Sequence, residues 1–377
     1  MSEATPREIL RFEKGHRILP FERGRLAIDA MIEAVERAEH RIHLETYILR
    51  PDSTGRRMLD ALAARARAGV AVRMIVDAIG SRSLDRGLLA SLERSGVETA
   101  VFNPPSRWLW RFRPRQRDHR KLLLVDGRLG FLGGLNIGNE YVAEDEEGPT
   151  WRDAHLQLEG PALGGLEALF LESWFRSGGA SFDWHPLVSR ESTAVGPESV
   201  AILADGPMYR RRRVRSFFID ELERARHRVV LVSPYFAPGP RVLNALADTS
   251  ERGVSVELVL AGHSDHPMLR HAARAFVPAL IRRGVRVYED PDRMLHAKLA
   301  VFDDSRAVVG TSNLDRQSLD HSCEVNLVVE SETLAGWILE HFAPATTSVT
   351  AIDLPTLARR SIWQRWLDRG AALLARL

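Results

Sequence analysis

The sequence predicts an α/β protein built from two similar domains related by a pseudo-dyad, each a mostly parallel sheet flanked by helices. Three observations carry this reading. A pattern of histidine, lysine and aspartate occurs twice, as His119-Arg-Lys121 with Asp126 and as His296-Ala-Lys298 with Asp303. A glycine and an asparagine follow each copy at matching distance, Gly133 and Asn136 in the first and Gly310 and Asn313 in the second, so that the His-to-Asn spacing is 17 in both. The flanking segments also align: 41–47 with 228–235, 68–76 with 252–260, and 94–97 with 283–285.

Each half reads as helix, strand, helix, strand, helix, strand, then the His-Lys strand and one more. The first helix shows Ala27, Ala30, Met31, Ala34, Val35 and Ala38 at helical spacing, a stripe widened on one side by Ile28 and Ile32. Gly69 and Gly253 stop helices and lead directly into valine-rich strands. Leu122 to Val125 and Leu299 to Phe302 are apolar on both faces, as a buried central strand requires. Strands alternating with amphipathic helices imply a sheet covered on both sides. Two copies of so long a period exclude a solenoid. The segment 178–199 is rich in Gly, Pro and Ser and reads as a linker, which places the boundary near residue 190 and the domains at 1–190 and 191–377.

The 377 residues are 45% hydrophobic and 27% charged, enough for two cores. A net charge of only +2 excludes a general polyanion coat, so any basic function is local. The single cysteine, Cys323, excludes an internal disulfide framework; it reads as a buried structural thiol in a reducing compartment. Residues 1–10 lack the apolar core of a signal peptide, and no run of about 18 apolar residues offers a membrane span. The expected location is cytoplasmic, soluble or peripheral at the inner membrane surface.

His119 and Lys121 are two apart, as are His296 and Lys298, so on a strand each imidazole and ammonium project together. Two such pairs with two asparagines meeting at one point suit a phosphodiester. Asp126 and Asp303 lie at an odd spacing, at the turn, and read as scaffold. No metal or other cofactor is implied. His263, Asp265 and His266 form only a weak cluster at the site mouth, and Gly133-Gly134 is too short to be a phosphate loop.

The paired His-x-Lys-x4-Asp segments resemble the signature of the phospholipase D superfamily, over nearly the whole chain from about Phe12 to Phe342. Within it the sequence most resembles short bacterial cardiolipin synthases without membrane spans. The stretches that carry this are 43–47, 133–137, Glu140-Tyr141, 151–155, 159–161 and 233–236. The resemblance implies a phospholipase D-like fold and a phosphatidyl transfer through a covalent phosphohistidine. It assigns His119 as nucleophile and His296 as acid and base, although the pseudo-dyad leaves these two roles interchangeable on the residues alone. Lys121, Lys298, Asn136 and Asn313 would hold the non-bridging oxygens, each contributing about 2.7–4 kcal/mol in the transition state. Asp153 would orient His119 and Glu324 would orient His296. Gln317 stands where the family has arginine and Ser322 where it has asparagine, positions that bear on the acceptor alcohol.

The first half carries an extra arm before its histidine: Gly96 to His119 spans 23 residues, Gly284 to His296 only 12. The arm interleaves Arg107, Arg111, Arg113, Arg115 and Arg117 with Trp108, Trp110 and Phe112, a composition suited to an anionic phospholipid surface. A solvated basic loop is the plainer alternative. The C-terminal stretch from Ile362, with Trp363 and Trp366, either lies in a membrane interface or covers a domain, packing being the preferred reading. The leading expectation is transfer with phosphatidylglycerol as donor and as possible acceptor, giving cardiolipin and glycerol. The alternatives are a phospholipase D hydrolase or headgroup exchanger, a superfamily nuclease whose arm grips nucleic acid, and an inactive lipid-binding protein.

Overall fold

Four glycines punctuate the helix ends at equivalent places in the repeat. Gly69, Gly96, Gly253 and Gly284 all sit at φ near +91°, where a helix stops and the chain turns into a strand. A Cβ at Gly69 or Gly253 would meet nothing within 4 Å, so the backbone angle and not space demands glycine there. The computed structural model describes residues 10–104, 116–143, 151–184, 193–206 and 212–374. The expected domain boundary near residue 190 lies outside them.

The first half runs β1 (Glu13–Phe21), α1 (Gly24–Glu36), β2 (Arg41–Thr46), α2 (Ser53–Arg67), β3 (Ala71–Asp77), α3 (Arg86–Arg94), β4 (Glu98–Phe102), β5 (Leu122–Val125), β6 (Leu129–Gly133), β7 (Trp151–Arg152), β8 (His155–Glu159) and α4 (Ala162–Arg176). The second half runs β9 (Glu198–Asp205), α5 (Arg213–Arg224), β10 (Arg228–Ser233), β11 (Phe236–Ala237), α6 (Pro240–Glu251), β12 (Ser255–Ala261), α7 (Pro267–Arg282), β13 (Arg286–Asp290), β14 (Met294–Leu295), β15 (Leu299–Phe302), β16 (Arg306–Gly310), β17 (Leu314–Asp315), α8 (Arg316–Asp320), β18 (Glu324–Glu330) and α9 (Glu332–Phe342). It is followed by β19 (Thr350–Ile352), α10 (Leu354–Ala358) and α11 (Ile362–Leu374). Helix α1 buries Ala27, Ile28, Met31, Ile32 and Val35. Ala30 and Ala34 are only half-buried, so the buried face is turned toward the larger isoleucines.

The sheets of the two halves join into one 15-stranded sheet, ordered β19-β13-β12-β10-β15-β16-β18-β9-β1-β8-β6-β5-β2-β3-β4. Reading outward from the β9–β1 pair, the two sides repeat the same strand roles. The join is antiparallel, with Glu13 opposite Val200 and His16 opposite Glu198 across a bulge. The sheet is mixed. Strands β2, β3 and β4 are parallel, as are β10, β12 and β13, while β5–β6 and β15–β16 insert tight antiparallel hairpins after each His-Lys segment.

Three large clusters among the described residues cover the sheet. One lies in each half on one face, under α1–α3 and under α5–α7. The third is shared: Leu166, Phe170 and Trp174 of α4 belong to one cluster with Leu327 and with Ile338 and Phe342 of α9. This common layer holds the halves in fixed register, which the site between them needs.

The hairpin turns are built by the aspartates of the repeat. Asp126 has φ +54°, and its carboxylate accepts the backbone N–H groups of Glu39, His40 and Arg41, each at 2.8 Å. Asp303 has φ +49° and accepts those of Arg226, His227 and Arg228. Each aspartate thus ties the His-Lys hairpin to the start of the neighbouring strand, β2 or β10. Their backbone hydrogen bonds hold both carboxyls below the usual range, against the opposing effect of partial burial.

Candidate active site

His119 and His296 line one cavity of about 310 Å³, together with Asn136, Asn313 and Tyr47, Tyr141 and Tyr235. The two His-Lys segments lie immediately before β5 and β15 rather than within them. Each lysine folds back to donate to the carbonyl of its own histidine: Lys121 Nζ to His119 O at 2.8 Å, and Lys298 Nζ to His296 O. The pseudo-dyad extends to the details. Thr46 Oγ1 donates to Ile48 O and Ser233 Oγ donates to Tyr235 O, shaping equivalent turns after β2 and β10.

The carboxylates pair with the histidines crosswise, which corrects the expected assignment. His119 Nδ1 hydrogen-bonds Glu324 Oε2 at 3.2 Å, and His296 Nδ1 hydrogen-bonds Asp153 Oδ2 at 2.6 Å. Each imidazole is therefore oriented by the opposite half. The cause is in the backbone. His119 N donates to Cys323 O at 3.0 Å, and Cys323 N donates to Arg117 O at 2.8 Å. On the other side His296 N donates to Arg152 O at 2.7 Å, next to the parallel pairing of β14 with β7. Cys323 and Arg152 are the residues just before Glu324 and Asp153. The bridges that stitch the halves together thereby deliver each carboxylate to the other half's histidine.

Charge is concentrated here on buried side chains. Burial and the adjacent Lys121 push the His119 imidazole below its ordinary value, with Glu324 pulling the other way. Burial and Lys298 bring His296 down to about 4. Burial and the facing Lys298 lower Lys121 to about 7, and burial brings Lys298 to about 8. Although burial opposes it, His296 and Lys298 hold Asp153 below the usual carboxylate range. With Nδ1–H given to a carboxylate, each neutral imidazole keeps a lone pair on Nε2. Four basic groups share two carboxylates, and burial beside one another disfavours their charged forms, so an anion entering the cavity would restore charge to them.

The asparagines are less alike. Asn136 Oδ1 accepts Ile48 N at 3.1 Å, and its Nδ2 donates to Tyr141 Oη at 2.9 Å. Asn313 has a buried Oδ1 with no partner among the described residues. Position five after the asparagine is Tyr141 in one half and Ser318 in the other, so the phenol that receives Asn136 Nδ2 has no counterpart beside Asn313.

Among the cavity residues, the tyrosines carry no assigned role in the sequence. Tyr47 and Tyr235 flank the histidines at ring-centroid distances of 5.0 Å from His119 and 6.4 Å from His296; their equivalent positions in the repeat were the available signal. Tyr235 Oη donates to Asp265 Oδ1 at 2.5 Å, which with His266 brings the loop after β12 into the cavity wall. Gln317 Nε2 donates to Ser322 Oγ at 3.1 Å, and both line the cavity. No group of three or more His, Cys, Asp or Glu among the described residues is placed to hold a metal ion.

Arg117 is a second correction. It was expected to belong to the membrane-facing arm, but it is buried, lines the cavity and pairs with Asp77 at 3.3 Å. The other carboxylate oxygen of Asp77 accepts Asp118 N at 3.0 Å, so this arginine is fixed inward by the segment that carries His119. Arg107, Trp108, Trp110, Arg111, Phe112, Arg113 and Arg115 lie outside the described residues.

The sequence matches the family described as cardiolipin synthase, PLD-like domain, over residues 31–150 and 218–345. It is 33% identical over 365 residues to cardiolipin synthase 1 of Bacillus anthracis, covering 94% of this chain and 71% of that one. The chain belongs to the phospholipase D-like cardiolipin synthase family. Another member, the cardiolipin synthase of Alkalihalophilus pseudofirmus, is 31% identical over 92% of this chain and 69% of its own length. A crystal structure of phosphatidylserine synthase from Haemophilus influenzae shares the fold, with a TM-score of 0.73 over 95% of this chain and 93% of that one at 13% identity. Membership makes this chain a phosphatidyltransferase of the phospholipase D superfamily.

Proposed function

We propose that the protein transfers a phosphatidyl group from phosphatidylglycerol to a second lipid alcohol, forming cardiolipin and glycerol. The observation that carries the reading is the presence of both motif histidines, each backed by a buried carboxylate, on one cavity. In the first step His119 Nε2 attacks phosphorus as the bond to the glycerol oxygen breaks, and His296 Nε2–H gives that oxygen its proton. In the second step an acceptor hydroxyl yields its proton to His296 as its oxygen bonds phosphorus and the P–N bond breaks. The chain is left unchanged, and two phosphatidylglycerols give one cardiolipin and one glycerol.

The pair of roles has physical support. The short contact to Asp153 favours the imidazolium that an acid and base passes through, which suits His296. The longer contact of His119 to Glu324, whose Oε2 also accepts from Thr311, suits a nucleophile that is neutral before attack and carries positive charge only while the P–N bond lasts. An arriving phosphodiester supplies the negative charge that recharges Lys121, Lys298 and His296. Lys121, Lys298, Asn136 and Asn313 would then hold the non-bridging oxygens. The protein works peripherally on an anionic membrane; no helix among the described residues is long and apolar enough to cross one.

The test is incubation with phosphatidylglycerol vesicles and separation of products. Cardiolipin with equimolar glycerol is expected. Phosphatidic acid as the sole lipid product would make the enzyme a hydrolase, and nicking of labelled DNA without lipid turnover would make it a nuclease.

A further inference from the structure

Helix α11 is amphipathic in an unusual sense: its solvent side is the apolar one. Its packed side consists of Ala371, Ala372 and Asp368, which are buried, and it lies along α7. Asp368 is the helix's sole acid, and it is consumed internally, accepting from His271 Nδ1 at 2.7 Å and Arg360 Nη1 at 2.6 Å. On the far side Trp363 is 79% and Trp366 63% exposed, with Ile362, Leu367 and Leu373 exposed as well. At about 100° per residue, Ile362, Leu373, Trp366, Trp363 and Leu367 span about 140° of arc, centred roughly opposite Asp368. Arg365 and Arg369 are exposed along one edge of this stripe.

A soluble protein gains nothing from keeping two tryptophans in water while turning its one carboxylate inward. The combination fits a surface that is apolar inside and anionic at its rim. Tryptophan settles at the headgroup level of a bilayer, and arginine beside it meets lipid phosphate. The helix is also placed where such contact is useful. Helix α7, on which it rests, begins with His266 at its N-cap. His266 and Leu269 line the cavity, and Met268 between them is exposed.

We infer that α11 is a docking helix that lies in the interface of an anionic bilayer and brings the cavity beside α7 to the lipid headgroups. This rests on the proposed reading of the enzyme as one that acts on membrane lipid, and it assigns the contact to the C-terminal helix. The hydrogen bonds of Asp368 with His271 and Arg360 fix the helix to the domain, so that docking orients the whole sheet.

The full chain and its W363S/W366S variant are compared in flotation with vesicles of phosphatidylglycerol and phosphatidylcholine, and in turnover of monomeric short-chain phosphatidylglycerol. The variant is expected to bind vesicles about tenfold more weakly, or worse, while its turnover of the monomeric lipid matches wild type, which also shows that it is folded. R365Q/R369Q is expected to lose preference for anionic vesicles by about fivefold per arginine removed. Unchanged vesicle binding by W363S/W366S overturns the inference. So does a wild-type dimer that this variant dissociates without weakening vesicle binding, since the face would then be covered by a second copy. If wild type floats through α11 but makes no cardiolipin from either lipid form, docking stands and the proposed reaction falls.

Discussion

Asp153→Asn separates the crossed pairing from every simpler arrangement. The substitution keeps the shape of a fully buried side chain and the acceptor for Ala154 N, but removes the charge facing His296. With the 2.6 Å contact, the charge centres lie about 4 Å apart, which at an effective dielectric of about 20 corresponds to about 4 kcal/mol. That stabilisation acts on the imidazolium and so on the acid and base steps, and its loss corresponds to about a thousandfold in rate. An amide can also present its NH2 to Nδ1 and hold the wrong tautomer, which acts in the same direction. The assay is single-turnover release of glycerol from phosphatidylglycerol, with Glu324→Gln as the partner variant. D153N is expected to impair the leaving-group step, so that a substrate with a much better leaving group recovers most of the rate. E324Q, which acts on His119, is expected to slow both substrates alike. A D153N rate within about threefold of wild type, or recovery by E324Q instead, would refute the assignment of Asp153 to His296.

Further outcomes follow from the same geometry. Lys121 at about 7 and Lys298 at about 8 lie below the ordinary lysine value of 10.5, so the unfolded chain binds more protons than the folded one between those limits. Unfolding free energy should therefore rise from pH 7 to pH 9 in urea titrations, and Lys121→Met should flatten that slope; an unchanged slope contradicts the depressed ammonium. For the same reason binding of a phosphate-like anion such as tungstate should take up protons near pH 8, measured by calorimetry in buffers of different ionisation enthalpy. Asp126→Ala strands three backbone N–H groups and should cost about 2–4 kcal/mol of stability while leaving turnover per folded molecule unchanged; a large fall in turnover with full stability would place Asp126 in the chemistry. The double change Q317R/S322N alters the cavity wall where Gln317 meets Ser322, and should shift the ratio of cardiolipin to alcohol-exchange product on the order of tenfold. Identical ratios would remove these positions from acceptor choice.

Much of this was legible in the chain because it was written twice. The equal His-to-Asn spacing, the Gly-Val helix stops and the apolar hairpin strands each recur in the structure at equivalent places. The crossed pairing was not legible. It depends on backbone bridges between residues some 140 to 200 positions apart, such as His119 with Cys323, and a repeat gives no sign of which half a carboxylate faces. The joining of β1 to β9 was hidden for a related reason: edge strands pair through the backbone, which carries no side-chain signature. Arg117 misled because it continues a run of arginines in sequence, while the turn into His119 buries it on Asp77. The C-terminal helix shows the opposite limit, for periodicity reveals two faces but not which of them the domain covers.

The most direct test of a single composite site is a chemical trap. The enzyme is quenched in acid-free medium during turnover of phosphatidylglycerol, then digested and mapped by mass spectrometry for phosphatidyl-histidine. One adduct per chain is expected, on His119; it forms in the wild type, accumulates in His296→Ala only with a donor whose leaving group needs no protonation, and is absent from His119→Ala. Adducts on both histidines of one chain, or an adduct that survives His119→Ala, would contradict a shared phosphorus between the two rings.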